Sequence, residues 1–185
     1  KRLWALGRKD GFERPTGVVA RADQIFVVDT LANRVVAVSP AGAVLTGFGR
    51  RGAGDGEFNY PTNITADRAG RLYVTDAMNF RVQVFEADGR HLSTFGQLGD
   101  GVGDFDKPKG IAVDGSGRIY VVEGLNDLVQ VFDGNGQLLL VFGGSGAGPG
   151  QLWLPAGITL SGNAVYVTDT ANHRVQVYER LGEAR

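Results

Sequence analysis

Prolines fall at Pro15, Pro61, Pro108 and Pro155, 46 or 47 residues apart, and each opens the same run of residues. A quartet of small and apolar residues follows at 17–20, 63–66, 110–113 and 157–160, and then a polar turn. Next comes an alternating stretch that ends in an acid: Asp29, Asp76, Glu123 and Asp169. Five residues on, Arg34, Arg81 and Arg174 begin a second alternating stretch, which Leu128 begins in the third repeat. A Gly turn and a Leu-x-x-Phe-Gly segment close the unit at Phe48-Gly49, Phe95-Gly96 and Phe142-Gly143. Self-similarity at such a period restricts the chain to an array or a propeller before any single residue is weighed.

Each unit reads as four short strands. In the second repeat these are residues 64–66, 72–75, 81–86 and 91–95, with turns at Asp67-Arg68-Ala69-Gly70 and Ala87-Asp88-Gly89. Val, Ile, Tyr and Phe at alternate positions, bounded by Asp-Gly and Asn-Gly turns, favour strands, and no window shows a helical period. A lone sheet this small cannot bury both faces. Radial stacking of such sheets does so and leaves only short edges. The expected fold is therefore all-β, a β-propeller of four-stranded antiparallel blades. Residues 1–185 read as one domain, with repeats at 15–49, 61–96, 108–143 and 155–178. Leu3-Trp4-Ala5-Leu6-Gly7 carries the pattern of a fourth strand, and the last repeat stops after its third. Residues 1–7 are accordingly expected to pair with the last blade and close a ring of four.

Composition narrows the chemistry. A net charge of −1 gives no electrostatic footprint for nucleic acid or an anionic membrane surface. No apolar run approaches the length that spans a bilayer, so no membrane insertion is expected. The chain opens Lys1-Arg2-Leu3-Trp4 without a signal peptide, an absence that a trimmed leader would also leave. With no cysteine there is no disulfide, no thiolate zinc site and no thiol nucleophile, and the compartment stays open. The 29 glycines belong to the repeated turns.

The run Pro-x-x-Ile-Ala-Val-Asp, then Gly-x-Ile-Tyr-Val, then Asn-x-Arg-Val-Gln-Val-Phe and Leu-x-x-Phe-Gly resembles the NHL repeat. Residues 61–95 and 108–142 carry it nearly throughout, and the resemblance extends over the whole chain. The Gly-His and Trp-Asp marks of WD40 blades and the Gly-Gly doublets of kelch repeats are missing. The resemblance implies a propeller, usually of six blades where this chain supplies four. It leaves open a compact ring, part of a larger propeller, or an array completed by another copy.

The four repeats form an internal alignment. The first, second and fourth keep an acid and an arginine: Asp29/Arg34, Asp76/Arg81 and Asp169/Arg174. The third changes both, to Glu123 and Leu128, which points to contact between the two side chains and a structural brace on the loop. Asn79, Asn126 and Asn172 are expected to bond the backbone of the same loop. With strands alternating in direction, the loops after each second strand share one face with the Gly-rich linkers between repeats. Positions that differ between repeats there are the candidate binding residues: Leu31 and Asn33, Met78 and Phe80, Leu125 and Asp127, Ala171 and His173. Apolar Met78, Phe80 and Leu125 fit a protein contact, and capping of the blade cores is the competing expectation.

Catalytic signals are weak. The Gly-rich linkers carry no Gly-Lys-Ser/Thr and lead into no helix, so they are turns rather than phosphate loops. His91, at the start of an outer strand, is expected to be solvated, and His173 lies in a loop on the opposite face. Two histidines so placed cannot build the zinc site of the amidating lyases that the resemblance brings to mind. A calcium-dependent lactonase would need converging acids. Asp67 and Asp114 instead open Asp-x-x-Gly turns. No cofactor or metal is expected. The leading expectation is a non-enzymatic scaffold that binds a protein or peptide through one loop face. The alternatives are a single-stranded RNA-binding domain, which the net charge disfavours, and a metal-dependent lyase or lactonase-type hydrolase. In bacteria, arrays of this kind are commonly extracytoplasmic, and the composition is compatible with that origin. A homo-oligomer is expected if the ring is incomplete.

Overall fold

The computed structural model describes residue 1 and residues 3–180. These are all β apart from two 3-10 turns, Arg8–Asp10 and Ala77–Asn79. The chain divides into two compact units, Lys1–Phe95 and Gly96–Arg185, with two repeats in each. In the first unit, β1 (Pro15–Ala20), β2 (Ile25–Asp29), β3 (Arg34–Val38) and β4 (Val44–Phe48) form one sheet. A second sheet follows, of β5 (Pro61–Ala66), β6 (Leu72–Asp76), β7 (Arg81–Phe85) and β8 (His91–Phe95). The second unit repeats this with β9 (Pro108–Val113), β10 (Ile119–Glu123), β11 (Leu128–Phe132) and β12 (Leu138–Gly143). Its last sheet holds β13 (Pro155–Ser161), β14 (Ala164–Asp169) and β15 (Arg174–Glu179). Every sheet is antiparallel in chain order, the meander of a propeller blade.

The repeated Pro and Gly have distinct jobs. Proline lacks an N–H for the ladder, and the register slips beside Pro15, Pro61 and Pro155. Gly17 lets β1 approach the next sheet, since a Cβ there would stand 2.8 Å from the Asn63 Cα. A Cβ on Gly110 would meet the Ala156 carbonyl oxygen at 2.7 Å. In both units, therefore, neighbouring first strands pack backbone to backbone.

Alternation along the strands gives each sheet a front and a back face. In the first unit, Phe26, Val28, Val35 and Ala37 on the back of the first sheet meet Ile64, Leu72, Val74 and Phe85 on the front of the second, together with Phe58 of the linker between them. Phe48, Phe58 and Phe85 form a tilted aromatic trio with centroids 4.9–6.4 Å apart. In the second unit, Tyr120, Val122, Val129 and Val131 meet Leu152, Val165 and Val167 in the same manner.

Among the described residues the last sheet has three strands, and residues 3–7 lie outside any strand. Arg2, within the stretch expected to close the ring, lies outside the described residues. Trp4 donates its indole N–H to the Pro40 carbonyl at 3.0 Å, and its ring covers Gly42. Leu6 packs with Phe12, Val36 and Val38 on the front of the first sheet. Gly7 is extended (φ −164°), whereas Gly49, Gly96 and Gly143 are left-handed at +93°, +91° and +104°. The chain therefore leaves Gly7 on a different course, toward apolar surface that its own indole and leucine can cover.

Candidate functional site

The loop after β6 is built around a buried acid. Asp76 accepts the Asn59 N–H at 2.7 Å, the Asn79 amide at 2.8 Å and the Arg81 Nε at 2.9 Å. The Arg81 guanidinium then reaches the linker before β5, donating to the carbonyls of Ala53, Gly54 and Glu57 at 2.8–2.9 Å. Asp169, Asn172 and Arg174 reproduce this, with Arg174 on the carbonyls of Ala147, Gly148 and Gln151. The asparagines bond less to their own loop than expected: Asn79 and Asn172 each bridge the acid and a linker carbonyl, Gly52 or Gly146. In the first repeat Asp29 accepts the Glu13 and Arg14 N–H groups. Its linker is shorter, and among the described residues Arg34 meets the Gly11 carbonyl at 2.6 Å and Asp29 at 3.5 Å. In the third, Glu123 accepts the Asp106 and Lys107 N–H groups at 3.0 and 2.6 Å with no arginine present.

A second set of side chains escaped the sequence reading. Gln83 accepts the Gly56 N–H at 3.0 Å and donates to the Glu57 carbonyl at 2.7 Å. Gln130 does the same with Gly103 and Asp104, and Gln176 with Gly150 and Gln151. The signal was present: Gln recurs two residues after the Arg/Leu position in every repeat except the first, where Val36 stands. That exception matches the shortened first linker, which has no such turn to clamp.

The candidate binding residues divide into two kinds. Asn33, Phe80, Asp127 and His173 end their loops in the left-handed region, with φ between +52° and +57°. Asn33 and Asp127 turn inward. The Asn33 Oδ1 accepts the Tyr60 N–H at 2.8 Å, and Asp127 accepts the Leu154 N–H at 2.7 Å and the Ser145 hydroxyl at 2.6 Å. Each thus ties its loop to the residue before the next repeat's proline, and Tyr60 and Leu154 are themselves left-handed. Phe80 is half-buried and His173 exposed. The other kind points outward. Leu31, Met78 and Leu125 occupy one loop position and are 46–49% exposed. Ala171, their half-buried counterpart, donates its N–H to the carbonyl of Trp153, which is exposed along with Leu154. Trp153 and Leu154 were not among the expected residues, although large apolar side chains beside a repeat proline could have flagged them.

Burial pushes the Asp76 and Glu123 carboxyls above their usual range, against the hydrogen bonds that favour their charged forms. For Asp169 burial also pushes upward, but Asn172, the Trp153 N–H and Arg174 outweigh it and hold the group below that range. Asp67 and Asp114 are turn acids in the structure. Asp67 accepts the Gly70 and Arg71 N–H groups, the Arg71 guanidinium at 2.7 Å and the Tyr73 hydroxyl. Burial and the Asp67 charge push the Tyr73 phenol up to about 12. Asp114 likewise holds Arg118, Tyr120 and Arg180. His91 is less solvated than expected: its ring lies edge-on to Phe85 at 5.5 Å, with Nε2 2.8 Å from the Thr94 hydroxyl. Among the described residues no three His, Asp or Glu side chains converge as a metal site.

The NHL repeat family pattern matches residues 58–85 and 152–178, the second and fourth repeats. No curated protein matches the chain in sequence. Among solved structures, virginiamycin B lyase from Staphylococcus aureus is similar, with a TM-score of 0.65 at 16% identity over 90% of this chain and 55% of that one. A structural genomics protein of unknown function from Bacteroides thetaiotaomicron VPI-5482 gives 0.68 at 16% identity, over 89% of this chain and 47% of that one. The computationally designed Ika4 protein gives 0.63 at 14% identity, over 97% of this chain and 98% of that one. The chain spans about half the length of the lyase and of the Bacteroides protein. At these identities the likeness is one of fold.

Proposed function

We propose that this chain, two of whose repeats match the NHL repeat and whose sheets are blades of a β-propeller, is a non-enzymatic module that binds a protein or peptide through the loops after β2, β6 and β10. One observation carries this reading. The acids, arginines and glutamines around these loops spend their polar atoms on backbone groups of the linkers, so they are poorly placed for chemistry on a substrate. What the loops present outward is apolar: Leu31 and Met78 in the first unit, Leu125 with Trp153 and Leu154 in the second. Half-exposed apolar side chains recurring at one loop position suit a partner that buries them. An RNA-binding reading would draw on Phe80 with Arg50, Arg51, Arg81 and Arg174; the Arg81 and Arg174 guanidinium groups are bonded to carbonyls, Arg50 is paired with Glu57, and the net charge of −1 supplies no general attraction.

Panning a phage-displayed random peptide library against the protein tests the reading. Peptides recovered on the wild type should lose about tenfold or more in affinity on a Leu31→Asp/Met78→Asp/Leu125→Asp variant, a difference of about 1.4 kcal/mol. The variant's melting temperature should be unchanged. Equal binding to the variant would refute the assignment. So would tight binding of oligo(U) that weakens steeply with added salt, in favour of RNA.

A further inference from the structure

At the junction of the third and fourth repeats a cation stands where the first two repeats carry a hydroxyl. The residue after each repeat proline is Thr16, Thr62, Lys109 and Ala156, and the residue after each strand-ending acid is Thr30, Ala77, Gly124 and Thr170. In the first unit the two columns meet. The Thr16 and Thr30 hydroxyls lie 2.6 Å apart, and Thr30 donates to the Pro61 carbonyl at 2.7 Å. The third repeat changes both residues together. Gly124 leaves room for the Lys109 stem, since a Cβ there would stand 2.5 Å from Cε and 2.8 Å from Nζ. The Lys109 ammonium crosses that gap and donates to the Pro155 carbonyl at 3.4 Å, the counterpart of the Thr30 bond. The exchange keeps the contact and adds a positive charge.

That charge has apolar neighbours on both sides, all within the second unit. On one side Gly124 precedes Leu125, and on the other Pro155 follows Trp153 and Leu154; all three apolar side chains are exposed. Asp127 ties the two loops together by accepting the Leu154 N–H at 2.7 Å. The acids nearby are turned inward. Glu123 is buried on the N–H groups of Asp106, Lys107 and Leu125, and Asp127 on those of Leu154 and the Ser145 hydroxyl. Burial, and then the charge of exposed Lys107, hold the Lys109 amine below the usual lysine range, against the pull of Glu123 and Asp127. A carboxylate placed beside the ammonium offsets the cost of that burial.

We propose that Lys109 recognises the side-chain carboxylate of an Asp or Glu standing between two apolar residues of the bound peptide, which Leu125 and the Trp153–Leu154 pair receive on either side. This rests on the reading of these loops as a peptide-binding face and names the kind of peptide they take. An internal acid fits better than a free C-terminus, because apolar surface flanks the ammonium on both sides and a terminal residue can reach only one. Complementary charge set among apolar contacts confers selectivity for the acidic sequence over neutral ones.

Peptides panned on the wild type should be enriched in apolar-acid-apolar triplets. The tightest of them, synthesised with acetylated and amidated ends, should lose about tenfold or more in affinity by fluorescence anisotropy when its acid is replaced by the matching amide. Lys109→Thr/Gly124→Thr imports the first repeat's pair, which keeps a donor for the Pro155 carbonyl, so the melting temperature should be unchanged. On that variant the acid and amide peptides should bind within about twofold of each other. Lys109→Met with Gly124 kept should also remove the preference. If both peptides bind the wild type alike, or the acid preference survives both variants, the proposal falls while peptide binding stands. Tighter binding of the same peptide with a free C-terminal carboxylate and its internal acid replaced would overturn it as well. If no peptide binds, or binding ignores Leu125→Asp, the reading of the face fails and the proposal with it.

Discussion

The loops after β6 and β10 reach similar backbones by different chemistry. In the second repeat, Asp76 is a short acid that needs Asn79 and Arg81, and Arg81 in turn gathers three linker carbonyls. In the third, Glu123 is one methylene longer and accepts the Asp106 and Lys107 N–H groups directly, with Leu128 in place of the arginine. Holding the acid therefore does not require arginine. The arginine's separate contribution is to the linker, where residues 52–57 gain three hydrogen bonds that residues 99–104 do not receive from Leu128.

Removing that arginine should have the largest effect. Arg81→Leu leaves a buried carboxylate without its counter-charge and three carbonyls without their donor, and should cost about 3–5 kcal/mol in chemical denaturation. Adding Asp76→Glu, which imports the third repeat's solution, should recover part of that loss. If the double variant is no more stable than Arg81→Leu, the two loops are not interchangeable and the comparison breaks. Gln83→Ala should cost about 1–3 kcal/mol, because the Gly56 N–H and Glu57 carbonyl lose their partner. Hydrogen exchange should be faster across residues 99–104 than across 52–57, and equal protection would mean that Arg81 adds nothing to its linker.

Titration separates the acids by sign. Asp76 and Glu123 have folded-state values raised by burial, so the folded protein binds more protons than the unfolded chain between the ordinary and the raised values. Their contribution to stability falls as pH rises through that window. Asp67, Asp114 and Asp169 lie below the usual range, and their contribution is present above it and lost as pH falls through their folded values. Carboxyl NMR should resolve Glu123 titrating high and Asp169 low, and the reverse order would undo the burial argument. The smallest effect belongs to the outward loop position: Leu125→Asp should change stability by no more than about 0.5 kcal/mol.

The strands, their order and the turns were legible because period-2 alternation and turn chemistry are local, and every repeat restates them. The contact between Asp76 and Arg81 could be read from the joint change to Glu123 and Leu128. The clamps by Gln83, Gln130 and Gln176 were equally present as a recurring column. Their role was hidden because their partners lie 25–27 residues back, in a linker whose path local pattern does not specify. Asn33 and Asp127 looked like candidates for binding until the fold turned their side chains onto the next repeat's backbone.

By itself the sequence determined a chain of repeated four-stranded blades, since each copy encodes its own alternation, breaks and turns. Only the tertiary structure decided where residues 3–7 go, because the packing of Leu6 and the bond from the Trp4 indole to the Pro40 carbonyl depend on surface that the rest of the first sheet creates.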